Sequence, residues 1–176
     1  HEQAIMRMNA DLANGLGNLA QRTLSMIYKN CDACIPEAND LNDDDQSLLN
    51  QAYAVIEKAR GFYDEFKINR ALEEIWKVVS AADAYVDAQA PWVLKKENPQ
   101  RMKTVLYVLA ETVRCLAILA QPVTPIAASK LLDQLKIDDN ERSFEHLSNA
   151  YAIKADTTLD KPEGVFPRII IEDAAA

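Results

Sequence analysis

"VLYVLAETVRCLAILA", residues 105–120, is the most apolar stretch of the chain, and its reading decides the fold. It is shorter than the roughly 20 apolar residues that span a bilayer. It also contains Glu111 and Arg114, so it reads as a helix buried inside a soluble domain. Its start is marked by Asn98, which can cap, and by Pro99, which suits a first helical position. Its end falls near Ala120, where "QPVTP" interrupts.

Working outward from this helix, three-to-four-residue periodicity predicts others on both sides. The helix before it spans about 68–89 and carries Ala71, Leu72, Ile75, Val78, Val79, Ala82 and Val86. Pro91 disfavours helix in the residue before it and so sets the end. Trp76, among apolar positions, reads as core. A helix over about 43–65 opens on "NDDD", which supplies an N-cap and negative charge where a helix N-terminus is positive. The first helix spans about 2–29, with Ile5, Met8, Leu12, Leu16, Leu19, Thr23 and Met26 on one seam.

Downstream, "PIAASKLLDQL" gives a short fifth helix and "DDNERSFEHLSNAY" about one further turn. The Pro/Gly-punctuated tail is non-helical, and "RIII" predicts a short extended piece. The expected fold is all-α: an antiparallel bundle of about five helices over 1–155, with a C-terminal tail over 156–176. The tail's apolar strip suits docking on the bundle or on a further domain, and is expected to be mobile when that domain is lacking.

Composition agrees. Hydrophobic residues make up 49% of the 176 and charged residues 26%, with four glycines and seven prolines, the profile of a helix-rich globular domain. No membrane span and no signal peptide are evident, and a cytoplasmic location is expected. The chain does not begin with methionine, which fits a piece of a longer protein. Three cysteines suit a reducing compartment. Cys31 and Cys34 form a lone C-x-x-C; a zinc site needs two more ligands, and the histidines are only His1 and His146. No metal is expected, and the pair reads as a loop with two free thiols.

The net charge of −8 argues against a general nucleic-acid coat, since phosphate attraction supplies most non-specific binding. A basic island nevertheless lies between Pro91 and Lys103, with Lys95, Lys96, Arg101 and Lys103 against Glu97. Trp92 adjoins it. The ring either closes the end of the bundle or offers an exposed platform to an unstacked base. On the first helix Asn14, Asn18 and Arg22 follow at i, i+4 and i+8, a polar stripe beside the Leu12/Leu16/Leu19 seam. Such a stripe is either a solvated face or a set of groups able to read base edges. Gly15 and Gly17 each weaken this helix by about 1 kcal/mol relative to alanine. They fit a close approach by a partner helix or a ligand.

Taken together, "NADLANGLGNLAQRTLSMI", "ADAYVDAQAPW", residues 105–135 and "KPEGVFPRI" resemble the anticodon-binding domains of methionyl-tRNA synthetases, class I enzymes. N-L-x-x-R on the first helix with A-P-W after the third is the specific part. The fourth helix alone fits leucyl, isoleucyl or valyl relatives equally well. The resemblance implies an anticodon reader for CAU. Asn18 and Arg22 would bond to anticodon bases and Trp92 would stack on them, oriented by Pro91. Asn14 would assist and Tyr85 would support the ring. Lys95, Lys96 and Arg101 are candidates for RNA backbone contacts on charge grounds.

No catalytic residue carries over, because the family's H-I-G-H-like and K-M-S-K-S-like motifs are not found here. ATP and Mg would belong to the parent enzyme's catalytic domain, which is an expected partner together with the anticodon loop of tRNA(Met). A natural end at Ala176 would imply a monomeric parent. The competing readings are the equivalent domain of another class I synthetase and a structural helical interaction domain.

Overall fold

The computed structural model describes residues 2–170. Its helices are α1 (Glu2–Met8), α2 (Asn18–Asn30), α3 (Asp43–Asp64), α4 (Ile68–Gln89), α5 (Pro91–Glu97), α6 (Pro99–Ala120) and α7 (Pro125–Gln134). The apolar stretch that decided the reading lies in α6, where every residue from Val108 to Ala120 is buried. A helix apolar all round must be covered all round. Helices α2, α3, α4, α5 and α7 all contact it. The fold is an all-α bundle around this central helix, and no helix among the described residues is long and apolar enough to cross a membrane.

The long helices begin and end where local chemistry dictates. Asn42 accepts from the Asp45 N–H while the Asp45 carboxylate accepts from the Asn42 N–H, a closed capping box at the start of α3. Helices α3 and α4 form a hairpin whose turn places Phe66 at φ 58°. In α6 the Asn98 side chain accepts from the Arg101 N–H at 3.0 Å and Pro99 fills the first helical position.

Two elements depart from the expected pattern. The first helix is not a single α-helix over 2–29: a π-helical segment, Asn9–Gly17, joins α1 to α2, and Gly15 leaves the helical region at φ −85°, ψ −106°. The glycines explain the departure. A Cβ on Gly15 would lie 3.7 Å from Trp76 Nε1, and one on Gly17 would lie 2.8 Å from the Leu12 carbonyl oxygen and 3.2 Å from Phe166 Cβ. The close approach expected there is made at Gly17, by the Leu12 carbonyl and the chain's own tail; at Gly15 the Trp76 ring of α4 lies at ordinary contact distance. Trp76 is half-buried at the edge of the core rather than inside it, and its indole N–H donates to the Asp11 carbonyl at 3.1 Å.

The second departure is α5. Pro91 ends α4 as expected, but the chain then turns through Ala90 in the left-handed region (φ 44°) and starts a seven-residue helix at Pro91 itself.

Residues 138–151 form three 3₁₀ turns instead of one helical turn. They are lashed to α6 by a fully buried ion pair. Glu111 accepts from Arg114 at 2.7 and 2.8 Å, from the Tyr53 hydroxyl at 2.8 Å and from the Ile153 N–H at 2.8 Å. Arg114 also donates to the His146 carbonyl at 3.0 Å. Beyond this, Thr158 bridges Cys34, and Leu159 N–H donates to the Ala33 carbonyl at 2.7 Å. The Cys31–Cys34 turn, with two free thiols, is thereby tied to the tail.

Residues 165–170 then run beside the π segment. Asn9 exchanges two 2.9 Å hydrogen bonds with the Ile169 backbone, and Arg168 donates to Asn14 Oδ1 at 2.7 Å. The strip expected to await another domain lies here against the first helix. His1 and residues 171–176, which include part of the "RIII" expectation, lie outside the described residues.

Candidate nucleic-acid interface

Trp92 owes its position to α5. The left-handed turn at Ala90 swings the chain out of α4, Pro91 turns inward and is buried, and the next side chain points outward, 46% exposed. An exposed tryptophan forgoes the burial that usually fixes this residue. Opposite it stands Arg22 of α2, whose Cζ lies 5.6 Å from the centre of the indole ring. A guanidinium at that distance is attracted by the ring quadrupole, with about 0.5–1 kcal/mol at an exposed site. The structure therefore joins two residues, 70 positions apart in the chain, that sequence spacing does not connect.

Asp83 of α4 completes this corner. Its carboxyl is pushed above the ordinary value by burial; the Arg22 charge pulls it down and Asp87, one turn along α4, pushes it further up. The sequence reading missed Asp83, and its only local signal is its place one turn from Asp87 on the face towards α2.

Asn14, Asn18 and Arg22 are all exposed, so the stripe survives the π segment. Asn14 and Asn18 line a groove of ≈ 390 Å³ with Gln21 and Gly17, and its far wall is Gly164–Phe166 of the tail. Asn14 already holds Arg168, which leaves Asn18 and Arg22 the freer pair on this face.

The basic island divides. Lys95 and Lys96 are exposed in the last turn of α5, on the same element as Trp92. Arg101 does not join them. Its side chain is only 18% exposed, and it donates to both oxygens of the fully buried Asp45, at 2.5 and 2.8 Å, and to Gln89 Oε1 at 2.6 Å. Its charge is neutralised inside the protein, which removes it from the candidates for RNA backbone contact. Tyr85 is likewise committed elsewhere: its hydroxyl donates to Asp45, and burial pushes its ionisation far above the usual range.

A more apolar groove of ≈ 580 Å³ is lined by Met8, Leu12, Leu72, Trp76 and Val123 among others. Among the described residues no group of three or more His, Cys, Asp or Glu is arranged to hold a metal ion.

The chain is similar to known proteins over nearly its whole length. A family profile described as the anticodon binding domain of methionyl tRNA ligase matches residues 35–176. A methionine–tRNA ligase of Mesorhizobium japonicum is 48% identical over 175 residues, covering 99% of this chain and 34% of the relative. One of Rhizobium meliloti is 48% identical, covering 96% and 33%. Among solved structures, the apo form of Mycobacterium tuberculosis methionyl-tRNA synthetase superposes with a TM-score of 0.93 at 42% identity, covering 98% of this chain and 35% of that one. This chain spans about a third of the length of the relatives it matches.

Proposed function

Since the chain belongs to the family of methionyl-tRNA ligase anticodon-binding domains, we propose that it reads the CAU anticodon of tRNA(Met) at the corner formed by α2 and α5. In this reading a base of the unwound anticodon loop stacks on Trp92, while Asn18 and Arg22 hydrogen-bond base edges. Pro91 and the left-handed turn at Ala90 keep the ring outside the core. Asn14 assists from the far end of the stripe, and Lys95 and Lys96 meet the RNA backbone.

The observation that carries the reading is the pairing of an exposed indole with an exposed guanidinium at 5.6 Å. Single-stranded loops are recognised by stacking on aromatic rings and arginine planes and by hydrogen bonds to base edges. The domain need not be basic overall.

Methionine activation with ATP and Mg is assigned in this proposal to a catalytic domain of the parent enzyme, since this chain spans about a third of the length of its relatives. The apolar groove of Leu12, Leu72, Trp76 and Val123 suits contact with that catalytic part. A monomeric parent is retained in the proposal, with sedimentation of the whole enzyme as its check. The free cysteines fit a reducing cytoplasm.

The test is titration of this chain and of Trp92→Ala with anticodon stem-loops carrying CAU or a scrambled triplet. The chain should prefer CAU. The variant should stay folded, because the ring is half outside the core, and should lose roughly 1–3 kcal/mol of binding, the range for one stacked base. A variant that keeps CAU selectivity would remove Trp92 from the site. Equal binding of both triplets by the intact chain would overturn the proposal.

A further inference from the structure

Helix α5 is weakly held by its own residues. Of its seven, Pro91 alone is buried and Leu94 is partly buried against the core. A seven-residue helix is too short to persist without tertiary support. Beyond the packing of Pro91 and Leu94 and its contact with α6, the orientation of Trp92 depends on how the ends of α5 are held.

Both ends are stapled by one network. Gln89 is the last residue of α4, directly before the Ala90 turn, and Arg101 lies in the first turn of α6, three residues after the Asn98 cap. Arg101 Nη2 donates to Gln89 Oε1 at 2.6 Å, closing a ring across the base of the α5 excursion. The ring is then pinned to a third helix. The Arg101 guanidinium grips the Asp45 carboxylate with two hydrogen bonds, Gln89 Nε2 donates to Asp44 at 3.2 Å, and Tyr85 donates to Asp45. Asp45 is itself fixed by the capping box at the start of α3. A planar, two-pronged guanidinium contact fixes direction as well as distance, which an ammonium does not.

We propose that Arg101, Gln89 and Asp45 form a clamp that sets the orientation of α5 and thereby of Trp92: they are positioning residues for anticodon stacking and touch no RNA. The inference rests on the proposed anticodon-reading role for its functional consequence. Its structural half, control of Trp92 mobility, stands apart from that role.

The test uses this chain in a Trp76→Phe background, where Trp92 is the only tryptophan left of the two. Gln89→Leu opens the ring but leaves the Arg101–Asp45 pair intact. Arg101→Lys keeps the charge near Asp45 and loses the two-pronged geometry. Both should remain folded by circular dichroism well below the melting transition. In the free chain Trp92 should lose fluorescence anisotropy and become easier to quench with acrylamide. Affinity for the CAU stem-loop should fall roughly fivefold or more, within the range of coupling between contacting residues.

A purely structural role would lower stability without these signatures, so the deciding measurement repeats the substitutions in a Trp92→Ala background. A clamp that acts through Trp92 has almost nothing left to lose there, and affinity should change less than about twofold. Equal losses with and without Trp92, or unchanged anisotropy and quenching in both variants, overturn the proposal. If Arg101→Lys does not fold, Gln89→Leu carries the test. If the intact chain shows no CAU preference, the function proposed above fails, and the clamp is judged on Trp92 anisotropy and quenching alone.

Discussion

Two glycines of this chain should respond to alanine with opposite signs, and the structure gives the reason for each. At Gly61, in the last turns of α3, an added Cβ meets nothing within 4 Å. Only the helix propensity term operates, so Gly61→Ala should stabilise by about 0.5–1 kcal/mol. At Gly17 the same term is opposed by crowding: the new Cβ lies 2.8 Å from the Leu12 carbonyl oxygen and 3.2–3.3 Å from two carbons of Phe166. The first of these is backbone and can move only if the π segment rearranges. Overpacking of this kind costs about 1–3 kcal/mol, so Gly17→Ala should be net destabilising by about 1–2 kcal/mol. For a domain of this size each kcal/mol shifts the midpoint by roughly 2–4 °C. Thermal melts by circular dichroism should therefore show Gly61→Ala above the parent chain and Gly17→Ala below it. Relief of the clash would push Phe166 away and loosen the tail, so trypsin should also cut faster after Arg168, whose guanidinium is now held by Asn14. If Gly17→Ala raises the midpoint as much as Gly61→Ala does, with no change at Arg168, then neither the π segment nor the docked tail is as described.

Removing the Glu111 carboxylate would leave Arg114 charged in a site where both side chains are fully buried. Glu111→Ala should lose about 3–5 kcal/mol in urea titration, and a loss below about 1 kcal/mol would contradict the network. The Asp45 carboxyl gives a pH dependence. Burial alone would raise it, but hydrogen bonds from Arg101, Tyr85 and the Asn42 N–H, together with the guanidinium charge, hold it below its ordinary value. A carboxyl lowered on folding contributes stability above its unfolded value, about 4, and that stability is lost as the pH falls through the folded value. The stability gap between the parent chain and Asp45→Asn should thus be full at neutral pH and close in acid. Finally, replacing Lys95 and Lys96 with glutamine should lower the salt dependence of stem-loop binding by about 1.4 in log–log slope, at about 0.7 per phosphate contact on a single strand. CAU selectivity should be unchanged.

Helices α4 and α6 were legible nearly to the residue because their ends are local events: Pro91 after one, Asn98 and Pro99 before the other. The π segment was not: Gly15 and Gly17 marked a weak point in the helix, but the side chains that pack beside them, Trp76 and Phe166, come from distant parts of the chain. Helix α5 escaped because seven residues are too few for periodicity to speak, and its only sequence mark, Pro91, was already explained as a helix end. Arg101 shows the limit of charge counting. A cation in a basic island looks free until its partner is known, and Asp45 lies 56 residues away. At the interface, the exposure of Trp92 was one of two open readings of the sequence. Its pairing with Arg22 is invisible to spacing, and only resemblance to a family had set those residues in one site.

On the proposed reading, a chain of net charge −8 binds RNA by forces that the net charge does not control. Screening at physiological salt confines the influence of exposed charges to about 8 Å, so what matters is the sign of the corner itself. There the Arg22 cation faces an indole, Asp83 sits in surroundings that disfavour its charge, and Lys95 and Lys96 stand on the same short helix as the ring. Asp45 is neutralised by Arg101, while Asp87 stands exposed one turn from Asp83. With cations and acids interleaved, such a corner offers an RNA loop little net long-range attraction. Binding must come from stacking and base-edge hydrogen bonds, which weaken far less with salt than phosphate contacts do. Those forces act only on a base presented at the right place, so selectivity depends on how firmly Trp92 is held. On the proposed reading, that requirement gives a function to the convergence of α3, α4 and α6 on the two ends of the seven-residue α5.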